Sequence, residues 1–305
     1  MSQNASAETY PARPVHIVVG FAPGGAPDIL ARVTSQWLSE RLGQPFVIEN
    51  RPGAGSNVGT EAVVRARADG YTLLLASPPN AINATLYAEL NYNFIRDIVP
   101  IASLVSLPSL VIINPKVPAK TIPELIAYAK ANPRKLNMAS PGVGTEPHLT
   151  GELFKMMAGV DMVHVPYRGA APALIDLIAG EAQIIFIGPS VTMGDIKAGK
   201  LRALAVTTAT RWEGLPHIPT VAEFLPGFES SAWFGVGAPR NTPAEIVGKL
   251  NNEINAGLAD PKIKSRLTDL GTAPMPMKST DFGKFIAYQT EKWGKVIRSA
   301  NIKPE

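Results

Sequence analysis

Two stretches of this chain, lying about 120 residues apart, have the same local layout. The first is the apolar run His16-Ile17-Val18-Val19-Gly20, followed by Phe21-Ala22-Pro23-Gly24-Gly25-Ala26-Pro27-Asp28 and a helical pattern. The second is Leu136-Asn137-Met138-Ala139, followed by Ser140-Pro141-Gly142-Val143-Gly144-Thr145-Glu146-Pro147-His148 and another helical pattern. Each reads as a buried strand, a Pro-Gly turn and a helix opening. A helix N-terminus carries unpaired backbone N–H groups and a partial positive charge. Glycine lets a ligand approach that backbone closely. Two such sites on two lobes make the halves of an anion trap that needs no charged side chain.

Short apolar runs alternate with helical patterns through most of the chain. Strands are expected at Ile17–Val19, Phe46–Glu49, Tyr71–Ala76, Leu110–Ile113, Leu136–Ala139, Val163–Val165, Ile184–Ile187 and Ala203–Thr207. Several are continuously apolar, as parallel strands covered on both faces are. Thr121 with Glu124 and Thr242 with Glu245 have the spacing of N-terminal capping boxes. From Pro243 to about Ala300 the pattern is mainly helical. The expectation is an α/β fold of two lobes with mostly parallel sheets. Residues 10–113 and 231–305 form one lobe and 114–230 the other. Crossovers are expected at Asn114–Pro118 and Leu225–Ser231, a two-crossover hinge that suits closure on a ligand.

Composition narrows the function. The chain has 305 residues, 46% apolar and 18% charged, so it is globular and long enough for two cores. Its apolar runs are too short to span a bilayer. The net charge of +4 is scattered, without the basic run that nucleic acid would call for. The absence of cysteine excludes disulfides, thiol catalysis and Cys-based metal sites. Near the N-terminus Ala5-Ser6-Ala7 has the small-x-small form of a signal-peptidase site, with no basic or apolar segment before it. It is either the remnant of a trimmed export signal, with Met1 added back, or a chance match.

Catalytic motifs are scarce. No P-loop pattern occurs, and Gly53-Ala54-Gly55-Ser56-Asn57-Val58-Gly59 has one residue too many for a dinucleotide fingerprint. Ser140 follows a strand, but Pro141-Gly142 spoils a nucleophile elbow. A Ser140–His148 catalytic pair is the enzyme alternative; hydrogen bonding to a ligand, or capping, is the other role open to them. His16, His148, His164 and His217 form no local metal pair, and His16 and His164 read as strand histidines. Asp28, in a first helical turn, reads as a dipole-stabilising acid or as an orienter of its loop or of bound water.

Eight ordered motifs carry a family resemblance. They are Phe21 to Arg32, Glu49-Asn50-Arg51-Pro52-Gly53-Ala54-Gly55, Asp69-Gly70-Tyr71-Thr72-Leu73-Leu74, Ser140 to Thr145, His148-Leu149, His164-Val165-Pro166-Tyr167-Arg168-Gly169, Gly199 to Ala205, and Pro219-Thr220-Val221-Ala222-Glu223. From about Tyr10 onward the chain resembles the Bug-type periplasmic receptors of tripartite tricarboxylate transporters. The resemblance implies a type II periplasmic-binding-protein fold and a periplasmic location. It also implies capture of a small carboxylate between the lobes for delivery to a membrane permease. A sensor receptor for the same ligand class is the alternative, and a monomer without a cofactor is expected. It places one ligand carboxylate between the loops Phe21–Asp28 and Ser140–His148, hence Phe21, Ala22, Gly24, Gly25, Ala26, Asp28, Ser140, Gly142, Gly144, Thr145 and His148. Departures from the family pattern are Ser56, Ile187 and Arg168; Ile187 bears on the cleft wall and favours an acidic far end on the ligand.

Ala26-Pro27 with Phe21 and Phe186 leans the ligand towards a C4–C8 aliphatic or aromatic dicarboxylate. Ser77, Asn80 and Ser190, each after a strand, are the candidates for the far carboxylate. Micromolar binding needs about 8 kcal/mol. Charge-assisted hydrogen bonds of roughly 1.5–3 kcal/mol each and buried methylenes of about 0.8 kcal/mol each suffice for that.

Overall fold

Continuous apolar runs become the central strands of two sheets. The computed structural model describes residues 10–304, so Ala5-Ser6-Ala7 lies outside the described residues. The chain opens with β1 (Val15–Val19), α1 (Ala26–Leu42), β2 (Phe46–Asn50), α2 (Asn57–Val64), β3 (Thr72–Ala76), α3 (Pro78–Leu86), the one-turn α4 (Phe94–Asp97) and β4 (Ile98–Pro108). It continues through β5 (Leu110–Ile113), α5 (Ile122–Ala131), β6 (Asn137–Ser140), α6 (Glu146–Ala158), β7 (Val163–Pro166), α7 (Ala170–Ala179), β8 (Ile184–Ile187), α8 (Met193–Lys197) and β9 (Arg202–Val206). It returns with β10 (Ser231–Pro239), α9 (Ala244–Ala259), α10 (Pro261–Asp269), β11 (Ala273–Pro274) and α11 (Ser279–Ser299). No helix among the described residues is long and apolar enough to cross a membrane.

The first sheet has the order β11-β4-β10-β3-β1-β2 and the second β7-β6-β8-β5-β9. In each, four strands share one direction and a strand next to a crossover, β10 or β5, is inserted antiparallel; the short edge strand β11 also runs against the four. β5 pairs with β8 and β9, so the chain leaves the first sheet at Ser109 and not at Asn114–Pro118. The correction has a plain cause: Pro108 ends β4, and the apolar run after it already belongs to the other sheet. The return runs through Ser230 into β10. Thr207 staples the two crossovers together. Its N–H and hydroxyl donate to Ser109 O at 2.9 and 3.0 Å, and its carbonyl accepts from Ser230 N at 2.8 Å.

Alternation sorts each central strand between two cores. Ile17, Val19, Leu73 and Leu75 pack towards Leu30, Leu38, Leu250 and Ile254 of α1 and α9. Val18 and Leu74 pack on the opposite face, in a core that also holds Trp233, Phe282, Ile286 and Trp293. That second core continues into the other sheet through Val111, Met138, Phe154 and Phe186, because α11 packs on both α3 and α6. The Thr121 cap forms, accepting from Glu124 N at 3.3 Å. The Thr242 cap does not: its hydroxyl donates to Pro239 O, and Pro243 occupies the cap position of α9.

β4, β10 and β11 were not expected from the sequence. Gly235 and Gly237 weaken the strand signal of β10, yet packing requires them. A Cβ on Gly235 would lie 2.2 Å from Phe282 and 2.8 Å from Ala102 O, and one on Gly237 would lie 2.6 Å from Ile98. Gly235→Ala is expected to destabilise the fold by about 1–3 kcal/mol through overpacking. A urea titration checks this; an unchanged midpoint would contradict the packing described.

Candidate functional site

The two glycine loops are built to the same rule. In each, a glycine at positive φ (Gly24 at 86°, Gly144 at 74°) donates its N–H to the side chain four residues on. Gly24 N donates to Asp28 Oδ2 at 3.0 Å, and Gly144 N to His148 Nδ1 at 3.1 Å. Each acceptor is the third residue of its helix, with a proline just before it: Ala26-Pro27-Asp28 opens α1 and Glu146-Pro147-His148 opens α6. The caps, Gly25 and Thr145, make no side-chain capping bond. The amides of Ala26, Asp28, Glu146 and His148 lie in the first turn, where no intrahelical acceptor exists, and none has a partner among the described residues.

Asp28 is buried and holds the first loop together. Besides Gly24 N it accepts from Arg32 Nε at 2.9 Å, Arg32 Nη2 at 3.1 Å and Asn50 Nδ2 at 3.0 Å. Asn50 Nδ2 also donates to Phe21 O at 3.1 Å. The Arg32 guanidinium holds the Asp28 carboxyl down, at about 2. The acid is thus fixed as the loop's organiser, with its charge paired to Arg32. Ala22 to Ala26 remain exposed. Gly20 makes the turn possible, since a Cβ there would lie 1.9 Å from Ser56 Oγ.

In the second loop Ser140 and His148 face inward. Ser140 is fully buried. Its Oγ lies 2.7 Å from His164 Nε2 and accepts from Gly142 N at 3.2 Å. Thr145 Oγ1 donates to Gly142 O at 2.7 Å. The His148 and His164 rings stack at 3.6 Å with 8° between planes. Because His148 Nδ1 accepts a hydrogen bond, its proton resides on Nε2. Burial pushes His148 down to about 3, with His164 and Lys155 adding to it, and pushes His164 down to about 4, with Lys155 adding. Both rings are neutral at pH 7.

The structure brings Phe21, Ala22, Gly24, Gly25, Ala26 and Asp28 into one loop and Ser140, Gly142, Gly144, Thr145 and His148 into the other. The far-end candidates are dispersed. Ser77 is fully buried and Asn80 is 2% exposed. They cap α3 together, with Ser77 N donating to Asn80 Oδ1 at 2.8 Å, and Asn80 Nδ2 donates to Thr60 Oγ1 at 2.7 Å. Here the polar residues after a strand form a helix cap and a bond to Thr60. Phe186 sits in the core against Phe154, with ring centroids 5.5 Å apart, and forms no cleft wall. Ile187 is likewise buried and pairs with Leu110. Ser190 is exposed and borders a cavity of about 1080 Å³ between the sheets, with Ser106, Pro108, Arg211, Trp212 and Lys264; neither glycine loop lines it. Sequence reasoning missed the roles of Arg32, Asn50 and His164. Only Arg32 carried a local signal, the i, i+4 spacing from Asp28.

The stacked imidazoles set an acid limit. In the unfolded chain they take up protons near pH 6.5; in the folded chain they resist until about pH 4 and 3. The unfolded state therefore binds more protons in this window, and stability falls as pH drops below about 6.5, a loss the two coupled rings share and solvent screening at His164 moderates. The double variant His148→Asn, His164→Gln keeps an acceptor for Gly144 and a partner for Ser140. Its urea midpoint is expected to fall less steeply between pH 6.5 and 4 than the parent's; parallel curves would contradict the assignment.

Residues 30–302 match the family described as tripartite tricarboxylate transporter family receptor. The chain is 36% identical to Protein BugT of Bordetella pertussis over 301 residues, covering 98% of this chain and 92% of the relative. Among solved structures it resembles R. palustris Rpa4515 with adipate, at 38% identity and TM-score 0.81, covering 97% of this chain and 100% of that one. It also resembles MatC from Rhodopseudomonas palustris with bound malate, at 32% identity and TM-score 0.76, covering 94% and 100%. With its two sheets, its double crossover and this similarity over nearly its whole length, the chain belongs to the receptor family of tripartite tricarboxylate transporters.

Proposed function

We propose that this receptor works in the periplasm as a monomer. In this reading it captures a C4–C8 aliphatic or aromatic dicarboxylate between its lobes and presents it to a membrane permease, without chemical change. The observation that carries the reading is the matched pair of loops, which leaves amides free at the first and third positions of α1 and of α6. Such amides suit a carboxylate: charge-assisted hydrogen bonds contribute roughly 1.5–3 kcal/mol each, and a partly buried helix terminus adds up to about 2 kcal/mol. No cationic side chain is required. Adipate and malate, bound in two related structures, are both dicarboxylates within this size range. The reading against catalysis rests on the family, whose receptors and bound neighbours are solute-binding proteins, and on the absence of an acid to orient His164 behind Ser140 among the described residues.

A thermal-shift series tests the reading with acetate, succinate, malate, adipate, phthalate and citrate. At about 100 times the dissociation constant a ligand stabilises the native state by about 2.7 kcal/mol. The dicarboxylates are expected to raise the midpoint by several degrees, acetate hardly at all, and the bound acid should be recovered unchanged. Silence from every dicarboxylate, or turnover of one, would overturn the proposal. Asp28→Ala leaves the Gly24 amide and Arg32 without their shared partner. It is expected to weaken binding of the best dicarboxylate at least tenfold by calorimetry while the protein still folds. Unchanged affinity would remove the first loop from the site.

A further inference from the structure

Glu146 is the first residue of α6, yet its carboxylate turns away from the loop and into the junction between the sheets. Oε1 lies 2.7 Å from Thr150 Oγ1 and 2.9 Å from Ser230 Oγ, and those two hydroxyl oxygens lie 2.6 Å from each other. Ser109 Oγ donates to Oε2 at 3.3 Å. Ser109 and Ser230 are the two points at which the chain changes sheets, so one carboxyl group joins both crossovers to the helix that carries the second glycine loop.

The three short contacts form a closed triangle of oxygens, and a triangle needs three hydrogens. Thr150 and Ser230 supply one each. An ionised carboxylate supplies none, and would leave two oxygens facing each other at hydrogen-bond distance with no proton between them. A neutral acid completes the ring: Glu146 donates to Thr150, Thr150 to Ser230, and Ser230 back to Glu146.

The charged surroundings are few. Lys292 of α11 acts on Glu146 in favour of ionisation, but its ammonium is committed to Glu229, at 2.8 Å from Oε2 and 3.1 Å from the carbonyl. On α6 itself the neutral His148 and the Glu152–Lys155 pair follow, and β7 contributes the neutral His164. Burial pushes the Glu146 carboxyl up, against the hydroxyls and Lys292.

We propose that Glu146 is a neutral carboxylic acid at neutral pH and a positioning residue for ligand capture, pinning both crossovers to the N-terminus of α6. This rests on the reading of the loops as a carboxylate site. An ionised glutamate at the first helical position would cancel the positive helix end and repel the incoming anion. A neutral one leaves that end intact for the ligand.

The unliganded protein tests the protonation directly by infrared difference spectroscopy. Wild type at neutral pH is expected to show the carbonyl band of a protonated carboxyl, absent from Glu146→Gln and shifted in Ser230→Ala, which keeps the acid but removes one member of the ring. A spectrum without that band in wild type overturns the proposal whether or not either variant folds. The positioning role is read from adipate titrations at neutral pH. Glu146→Gln, a neutral mimic that keeps the contacts to Ser109, Ser230 and Thr150, is expected to hold affinity within about threefold, while Glu146→Ala, which unpins both crossovers, loses at least tenfold with the protein still folded. Equal affinity of Glu146→Ala and wild type overturns the positioning role. If adipate fails to bind either protein, the ligand assignment fails, and the infrared band still decides the state of Glu146.

Discussion

Both glycine loops depend on one interaction made twice: a side chain at the third helical position captures the N–H of a glycine four residues earlier. It bends each loop back over its own helix and uses up the acceptor that would otherwise cap the helix end. Asp28 and His148 do this with opposite electrostatics. The aspartate needs Arg32 and Asn50 to accommodate its charge. The histidine is kept neutral by burial under a second imidazole. The result on both sides is a helix terminus with its amides free and no net side-chain charge presented beside it.

The glycine loops were legible because turn chemistry is local: Pro-Gly punctuation between an apolar run and a helical stripe leaves few alternatives. The central strands were legible for a similar reason, since Leu73 to Ala76 or Ile184 to Ile187 can hardly be anything but buried. β4 and β10 were not, because Pro100, Ser103, Gly235 and Gly237 are dictated by neighbours far away in sequence. Phe282 in particular claims the space above Gly235. Individual site residues were harder still. Ser77 follows a strand and Ser140 ends one, and the two look alike in sequence, yet one caps α3 and the other bonds to a histidine 24 residues on. Only tertiary packing separates such cases.

The junction between the sheets is more tightly specified than a flexible link. Thr207 holds the crossovers side by side, Glu146 ties both to α6, and α11 carries one apolar core from the first sheet to the second. Leu86 of α3 meets the Gly144 loop on the same side, where a Cβ on Gly144 would come within 2.6 Å of it. Any relative movement of the halves is therefore organised around this stapled edge, and the cavity bordered by Ser190 and Arg211 opens directly beside it, at Pro108 and Thr208.

Because the side chains of both glycine loops are occupied in folding the loops themselves, these loops can recognise only what backbone amides recognise. In the proposed reading they form a generic handle, indifferent to the rest of the molecule. If the loops hold the ligand as proposed, discrimination among cargoes falls to other residues, and substitutions there leave the loops' own hydrogen bonds untouched. Grip and choice of cargo are then separable in evolution.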